Sequence, residues 1–213
     1  MHRYFIKTPW LARVLFPSFL WRVNTKQKEV YLTFDDGPHE VVTPWVLDQL
    51  KQYNARATFF CIGKNVVAHP DIYDRILAEG HAVGNHTHNH MNGWKVTTQE
   101  YIGDVSKASK FIHSNLFRPP YGKIKLSQSR QISSAMHLQK ARIVMWDVLS
   151  ADFDLSISAE QCLQNVLQHY TQGSVIVFHD SEKAFTHLKY TLPLVLKHLH
   201  SRGYTCRNIE YVR

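Results

Sequence analysis

The feature that most restricts the fold of this chain is a repeated alternation of strand-like and helix-like patterns. Short apolar runs bounded by turn residues, at residues 30–34, 57–62 and 174–178, predict buried strands. Between such runs lie segments with apolar residues at helical spacing, such as residues 43–53. Because about seven strand–helix units follow one another without a long linker or repeat, the sequence predicts a parallel sheet with helices outside it.

Chain length decides between the two arrangements that such a sheet can take. A complete barrel of eight strand–helix units needs about 250 residues, and this chain has 213. We therefore expect an α/β fold, a distorted and incomplete (β/α) barrel of about seven parallel strands, formed by one domain that spans residues 1–213. An open doubly wound sheet is the alternative, and the absence of a glycine-rich phosphate loop after the first strand disfavours it.

Residues 1–28 form an aromatic and basic N-terminal segment. Its apolar residues are interrupted by Arg3, Lys7, Arg13 and Arg22, and its longest uncharged apolar stretch is far too short to span a bilayer. It also lacks a convincing signal-peptide cleavage site, so we expect a protein that is cytoplasmic or peripheral to a membrane. The segment either packs on the domain or makes a peripheral membrane contact through its tryptophan and arginine side chains.

The overall charge favours anionic partners without identifying one. The formal net charge is +8, but the basic residues are dispersed and no nucleic-acid-binding motif is present, so nucleic acid is not an expected partner. The three cysteines, Cys61, Cys162 and Cys206, have no short spacing and predict neither a disulfide framework nor a cysteine-rich metal site. The oligomeric state stays open at this point.

Reactive side chains follow the predicted strands at their C-terminal ends. Barrel enzymes build their active sites at this end of the sheet, whereas polar residues placed at random would also follow the opposite ends. The distribution therefore predicts one site at the carboxyl ends of the strands. Its candidate members are Asp35, Asp36, His86, Arg118, Asp147, Asp152 and His179.

A metal site is the simplest explanation of the polar residues after the first and third strands. Asp35 and Asp36 would repel each other unless a cation compensated them, although Asp-Gly-Pro also suits a solvated turn. His86 and His90 are four residues apart, which on a helical turn places both imidazoles on one face and His88 away from it. Two histidines and one carboxylate suit Zn²⁺ with open positions, and Fe²⁺ uses the same ligand types.

The second carboxylate of the pair is then free to act as a base toward activated water. Arg118 precedes a rigid Pro-Pro turn and can hold that base ionised. His179 can act as a general acid if a carboxylate from the loop after Trp146 orients it. Each of these residues taken alone also fits an ordinary surface or core position.

Five short motifs occur in a fixed order, and together they are far more specific than any one of them. They are TFDDGP (33–38), HTHNH (86–90), RPPYG (118–122), WDVLSADF (146–153) and VIVFHD (175–180). In this order they resemble the motifs of the polysaccharide deacetylases, carbohydrate esterase family four, with the chitooligosaccharide deacetylase homology domain. The resemblance covers about residues 30–180.

The resemblance implies a distorted barrel and a metal-dependent hydrolase. Its expected substrate is an acetylated amino-sugar glycan, such as peptidoglycan or a chitin-type chain, from which it removes N-acetyl or O-acetyl groups. The implied ligands of one divalent ion, Zn²⁺ first and Co²⁺, Ni²⁺ or Fe²⁺ also compatible, are Asp36, His86 and His90. The implied catalytic residues are Asp35 as base, Arg118 positioning it, Tyr121 stabilising the oxyanion through its backbone N–H, His179 as acid and Asp152 tuning that acid.

Three residues are expected to contact the substrate, namely Tyr121, Phe153 and Val177. Two of them depart from the family pattern. Phe153 stands where tryptophan is usual and loses the indole donor, and Val177 stands where leucine is usual and widens the acetate pocket. Neither change removes a catalytic group, so an active enzyme is still expected.

Two other functions remain alternatives to a glycan deacetylase. One is a hydrolase of the same fold that cleaves a non-peptide C–N bond in a small amide or imide, and the other is a non-catalytic glycan-binding protein. The segments between the motifs are short, which predicts a shallow open groove that fits an oligosaccharide better than an enclosed small molecule.

Overall fold

A curled sheet of parallel strands forms the centre of this computed structural model, which describes residues 4–209. The strand order is β5-β4-β3-β2-β1-β7-β6, and β8 pairs in parallel with the first residues of β1. The incomplete barrel of about seven strands predicted from the sequence is confirmed. The strands are β1 Glu29–Asp35, β2 Ala57–Cys61, β3 Ala82–Asn85, β4 Leu116–Phe117, β5 Arg142–Ile143, β6 Val148–Leu149, β7 Val175–His179 and β8 Thr205–Cys206.

Helices cover the outside of the sheet and connect its strands. The longest, α9, runs for 20 residues and packs against α8 and α2 with a face of buried leucine and valine side chains. The helices are α1 Trp10–Leu15, α2 Val42–Gln52, α3 Gly63–Ala68, α4 Pro70–Ala78, α5 Thr98–Ala108, α6 Leu126–Ser129, α7 Ile132–Ala135, α8 Ala159–Leu167 and α9 Glu182–Ser201.

Strand β1 is the central strand, and its register determines which side chains meet. It pairs with β2 on one side and with β7 on the other, and its last residue, Asp35, is aligned with Phe60 and His179. The residues of β1 after Glu29 are all buried, because helices cover one face and barrel side chains cover the other. The carboxyl ends of β1 and β7 therefore present their polar residues side by side.

The prediction that Asp147 belongs to the site is wrong. The expected continuous strand at residues 143–148 is divided into β5 and β6, and Asp147 directly precedes β6. Its buried carboxylate accepts a hydrogen bond from Ser174 Oγ at 2.5 Å, and Ser174 directly precedes β7. Asp147 therefore lies at the end of the sheet where the strands begin, opposite to His179.

Asp147 instead anchors the N-terminal segment, because it accepts charge-assisted hydrogen bonds from Lys7 Nζ at 2.7 Å and from Arg13. The segment also pairs with both edges of the open barrel, since Leu20 lies parallel to Val144 and Lys7 antiparallel to Val148. A segment whose two basic residues share one buried carboxylate and whose backbone pairs with the sheet is fixed in place.

Residues 1–3 and 210–213, and with them Arg3, lie outside the described part, and the division into one domain with an N-terminal segment stays a prediction. Between residues 4 and 209, no helix has both the length and the apolar character needed to cross a bilayer.

Candidate active site

A cleft of about 450 Å³ opens at the end of the barrel where the strands terminate. Arg118 and Asp152, which the sequence also predicted, lie behind its wall and are fully buried. Apart from Asp147, the structure therefore brings together all the predicted site residues. Those that line the cleft are Asp35, Asp36, His86, His90, Tyr121, Phe153, Val177 and His179.

Asp36 is held in a left-handed backbone conformation with a φ of 82°. The side chain of Asn65 donates a hydrogen bond to its carbonyl oxygen at 2.7 Å. On the other side, the N–H of Gly37 donates to Asp180 Oδ1 at 3.0 Å. A Cβ atom at Gly37 would lie 2.0 Å from Asp180 Oδ2, so only glycine fits this contact. Asn65 and Asp180 thus fix the backbone that carries the Asp36 side chain.

The loop of His86 and His90 is not the helical turn that their spacing suggested. Thr87 and His90 have positive φ angles of 64° and 57°, so the backbone leaves the right-handed helical conformation at both residues. The imidazoles nevertheless converge, because their ring centroids are 5.1 Å apart. As expected, His88 turns away, and its ring lies 6.0 Å from that of Phe111.

Two side chains hold this loop in its unusual path. Asp104, on α5, accepts hydrogen bonds from the backbone N–H groups of His88 and Asn89, both at 2.9 Å. Asn85, the last residue of β3, accepts from the N–H of Thr87 at 2.8 Å. These contacts replace the backbone hydrogen bonds that a helical turn would have supplied.

Three potential ligands for a metal ion converge in the cleft. Ligand atoms of Asp36, His86 and His90 all lie within 4.8 Å of one another. His86 Nδ1 is 2.8 Å from the carbonyl oxygen of Arg118, and a carbonyl only accepts, so Nδ1 carries the proton and Nε2 has a free lone pair. Burial lowers the pKa of His86 to about 4, which keeps the imidazole neutral as a ligand must be.

The surroundings of Asp36 Oδ1 test whether a cation fits this cluster. This oxygen is buried and accepts no hydrogen bond within the described residues. It lies 3.6 Å from His86 Nε2 and 3.1 Å from His90 Nε2. Because the lone pair of His86 Nε2 and the Asp36 carboxylate repel each other without a positive charge between them, the donor set fits a divalent cation. Its ligand types do not identify the metal.

Arg118 is a fully buried cation that contacts the carboxylate of Asp35 at 2.6 Å. Its guanidinium carbon lies 4.1 Å from the ring centroid of Phe60, a cation–π contact that excludes water from this ion pair. Three of the remaining N–H groups donate to Thr33 Oγ1, Val144 O and Met145 O, at 2.8, 3.1 and 2.9 Å.

His179 is oriented by Asp152 through two hydrogen bonds. Its Nδ1 lies 2.8 Å from Asp152 Oδ1, and its backbone N–H donates to Asp152 Oδ2, also at 2.8 Å. Burial alone lowers the pKa of His179, but the neighbouring Asp152 carboxylate outweighs burial and raises the pKa to about 9. The buried His187 donates in turn to the carbonyl oxygen of Asp152 at 3.0 Å, a contact that the sequence did not suggest.

The walls of the cleft combine aromatic, apolar and basic side chains. The Tyr121 ring is 59% exposed, and its centroid lies 4.6 Å from that of His90. Phe153 packs edge-on against His179 at 5.1 Å, and Val177 is buried in an apolar cluster with Leu149. Sequence analysis did not predict six further lining residues: Tyr4, Lys123, Trp146, Leu149, Ser181 and Lys183.

A profile of the family described as polysaccharide deacetylase matches residues 22–141, which is more than half of the chain. The chain belongs to the polysaccharide deacetylase family. The profile match contains the first three motifs. The fourth and fifth motifs lie beyond it, and in the structure they supply Asp152 and His179 to the same cleft.

The chain is similar in sequence to named deacetylases. The chain is 40% identical over 159 residues to a peptidoglycan-N-acetylglucosamine deacetylase of Bacillus cereus, covering 72% of this chain and 56% of the relative. It is 34% identical over 166 residues to a chitooligosaccharide deacetylase of Azorhizobium caulinodans, covering 75% and 77%. The chain thus spans little more than half the length of the Bacillus cereus relative.

Solved structures of deacetylases share the fold over nearly the whole chain. A crystal structure of the Bc1960 peptidoglycan N-acetylglucosamine deacetylase superimposes with a TM-score of 0.81 at 34% identity, covering 95% of this chain and 94% of the other. The chain therefore shares the curled half-barrel fold of this deacetylase over nearly its whole length.

Proposed function

We propose that this protein is a metal-dependent deacetylase that removes N-acetyl groups, or O-acetyl groups, from an acetylated glycan. The observation that carries the proposal is the composition of the cleft. A cluster of three potential metal ligands occurs together with two pairs of a carboxylate and a basic side chain, Asp35 with Arg118 and Asp152 with His179. The names of its relatives, peptidoglycan and chitooligosaccharide deacetylases, support an N-acetylglucosamine-containing substrate.

Asp36, His86 and His90 are the proposed ligands of one divalent cation, and Zn²⁺ suits this set because it accepts nitrogen and oxygen ligands with open positions. When bound, such an ion acts as a Lewis acid that activates water and polarises a carbonyl group. The protein contributes the fixed geometry, through the contacts of Asn65 and Asp104 with the two ligand-bearing loops.

Asp35 is the proposed general base. It is nearly fully buried in the wall of the cleft. Because it directly precedes Asp36, it lies close to any water molecule that a bound metal ion would hold. Arg118 donates a hydrogen bond to one of its oxygens at 2.6 Å, which fixes the direction of the carboxylate that accepts the proton.

His179 is the proposed general acid, and it donates its proton to the departing amine. The hydrogen bond from Nδ1 to Asp152 fixes the ring, so Nε2 is the nitrogen that delivers the proton. The backbone N–H of Tyr121 is the proposed donor to the oxyanion, in a turn whose positive φ of 60° is unusual for a non-glycine residue. Phe153 and Val177 form the proposed wall against the sugar and the acetyl methyl group.

The proposed function is tested by measuring acetate release. We expect purified protein loaded with Zn²⁺ to release acetate from N-acetylglucosamine oligomers or peptidoglycan, a chelator to abolish the release, and added Zn²⁺ to restore it. Acetylated xylan serves as the ester substrate, and a small cyclic imide serves as the non-glycan control. Opening of the imide ring releases no acetate, so it is followed by ultraviolet absorbance; hydrolysis of the imide alone, or of no substrate at all, would contradict the proposal.

The pH dependence of turnover tests the role of Asp152. A general acid works only when protonated, so turnover falls as the pH rises through the pKa of His179, which Asp152 raises to about 9. In Asp152→Asn the main group that raises this pKa is lost. We expect the basic limb of the kcat/KM profile to move to lower pH, with kcat about 100-fold lower.

Asp154→Asn is the matched control for this prediction, because Asp154 lies two residues further along the same loop and bonds to Tyr4 and Ser156 instead of His179. Its profile should keep the basic limb of the unmodified protein. An unchanged basic limb in Asp152→Asn would remove His179 from the role of the acid.

A further inference from the structure

Helix α1 presents an apolar face to solvent. No residue of this helix is buried, and four of its six residues are large exposed hydrophobic side chains. Trp10 is 72% exposed, Leu11 51%, Val14 60% and Leu15 63%. We call these four side chains the α1 patch. The spacing of Trp10 from Val14, and of Leu11 from Leu15, places them on neighbouring stripes of one helix surface.

The α1 patch is held rigidly by the protein. Arg13, on the same helix, pairs with the buried carboxylate of Asp147, and the N–H of Thr8 donates to the Asp147 carbonyl at 2.9 Å. After the helix, the rings of Phe16 and Phe19 stack with their centroids 5.4 Å apart. The apolar side chains are therefore displayed on a fixed support, as at interaction surfaces, and not on a loose tail.

The patch lies at the end of the barrel opposite to the cleft. Asp147 contacts Ser174, which precedes β7, whereas His179 ends β7 at the cleft. Five residues of strand separate the two ends, which corresponds to about 17 Å. A surface bound to the patch would leave the cleft open on the far side of the molecule.

The same end of the barrel carries an excess of basic side chains. These side chains lie in segments that lead into strands, at the end of α9 or just after β8. Because β8 pairs with the first residues of β1, all these positions are at the end of the sheet where the strands begin. Among the described residues, the acidic side chains at this end are paired with basic neighbours: Asp147 with Lys7 and Arg13, Glu29 with Arg207 at 3.2 Å, and Glu79 with Arg75 at 2.7 Å. The exposed basic residues at this end are Arg22, Lys26, Lys28, Lys140, Arg202 and Arg207.

We propose that this end of the barrel binds the surface of an anionic phospholipid bilayer, with the α1 patch in the interfacial layer and the cleft directed away from the lipid. Tryptophan and leucine side chains favour the interface, and clustered lysine and arginine side chains are attracted by anionic headgroups. A six-residue helix inserts little apolar area, so the binding is reversible and depends on both contributions.

The test is co-sedimentation of the full chain with vesicles of phosphatidylcholine, with and without phosphatidylglycerol. We expect binding to the anionic vesicles, weakened by added salt, and little binding to the neutral ones. Leu11→Glu/Val14→Glu should lower the partition coefficient roughly 100-fold, since it removes two inserted side chains and adds two negative charges. Folding of the variant is checked by circular dichroism and by its acetate release.

The matched control is Val67→Glu/Leu77→Glu, which makes the same chemical change at side chains that are 53% and 45% exposed on other helices. This variant should lose only the small part of the binding that comes from net charge. Equal losses in both variants, or equal binding to neutral and anionic vesicles, would overturn the proposal. So would a patch variant that binds lipid normally but changes a dimer into a monomer in sedimentation velocity, which would make the patch an interface between copies of the chain.

Tryptophan fluorescence gives a second readout that does not depend on the Glu variants. Lipids brominated near the headgroup should quench part of the emission on binding, and Trp10→Phe should remove that part. Quenching that is unchanged in Trp10→Phe would place another region of the protein at the bilayer. A negative result in either lipid-binding experiment makes no prediction for acetate release. This proposal and the proposed deacetylase function can therefore be contradicted separately.

Discussion

Replacing Asp36 with alanine is expected to abolish metal binding and turnover together. Asp36 is the anionic member of the ligand cluster, and without it two neutral imidazoles remain to hold a divalent cation. Metal content after gel filtration, measured by mass spectrometry, should fall from about one ion per chain to the blank, and acetate release should fall to background. Calorimetric titration with Zn²⁺ gives the affinity directly.

The matched control changes the neighbouring carboxylate. Asp35→Asn keeps the size of the side chain and leaves the three proposed ligands untouched, so we expect it to retain the metal while kcat falls by about 10²–10⁴-fold. The two variants thus separate metal binding from proton transfer. If Asp35→Asn lost the metal and Asp36→Ala kept it, the two proposed roles would have to be exchanged.

The barrel and the location of its site follow from the sequence for a simple physical reason. Parallel strands end together at one edge of a sheet, so side chains that follow different strands in sequence become neighbours in space. The register of β1 with β7 shows this effect, because it aligns Asp35 with His179 although 144 positions separate them along the chain. Patterns of apolar residues are local and are visible without the structure.

The same reasoning failed for Asp147, because the boundary between β5 and β6 is not visible in hydrophobicity. The run from Ile143 to Val148 is continuously apolar up to Asp147, and β5 ends just before Val144, which pairs with Leu20 of the N-terminal segment. That pairing brings two segments together that are far apart in sequence. Two basic residues, Lys7 and Arg13, neutralise Asp147, and no sequence pattern near either of them predicts this pairing.

The supporting contacts of the site were also invisible in sequence. Asn65 and Asp104 lie outside the five motifs, and Asp180 ends the fifth motif without a predicted role, yet each fixes the backbone that bears a ligand. The helical turn expected from the spacing of His86 and His90 was wrong for a related reason. Spacing predicts that two side chains meet, but tertiary hydrogen bonds decide which backbone path brings them together.

Replacing Arg118 with methionine is expected to cause the largest loss of stability among changes near the site. The guanidinium is fully buried and makes four hydrogen bonds, so its removal leaves the Asp35 carboxylate buried without its cation. Breaking a buried pair in this way costs about 3–5 kcal/mol. The free energy of unfolding in urea, followed by circular dichroism, measures the loss, and we expect acetate release to fall as well.

Two further variants separate the charge of Arg118 from its shape. Arg118→Met/Asp35→Asn removes both charges, so it should be more stable than Arg118→Met alone, although the carbonyl groups of Val144 and Met145 stay without donors. Arg118→Lys keeps the charge but offers a single amino group in place of the planar fork, and should lose about 1–3 kcal/mol. A loss below about 1 kcal/mol in Arg118→Met, or a double variant less stable than both single ones, would show that the ion pair of Arg118 with Asp35 does not stabilise the folded protein.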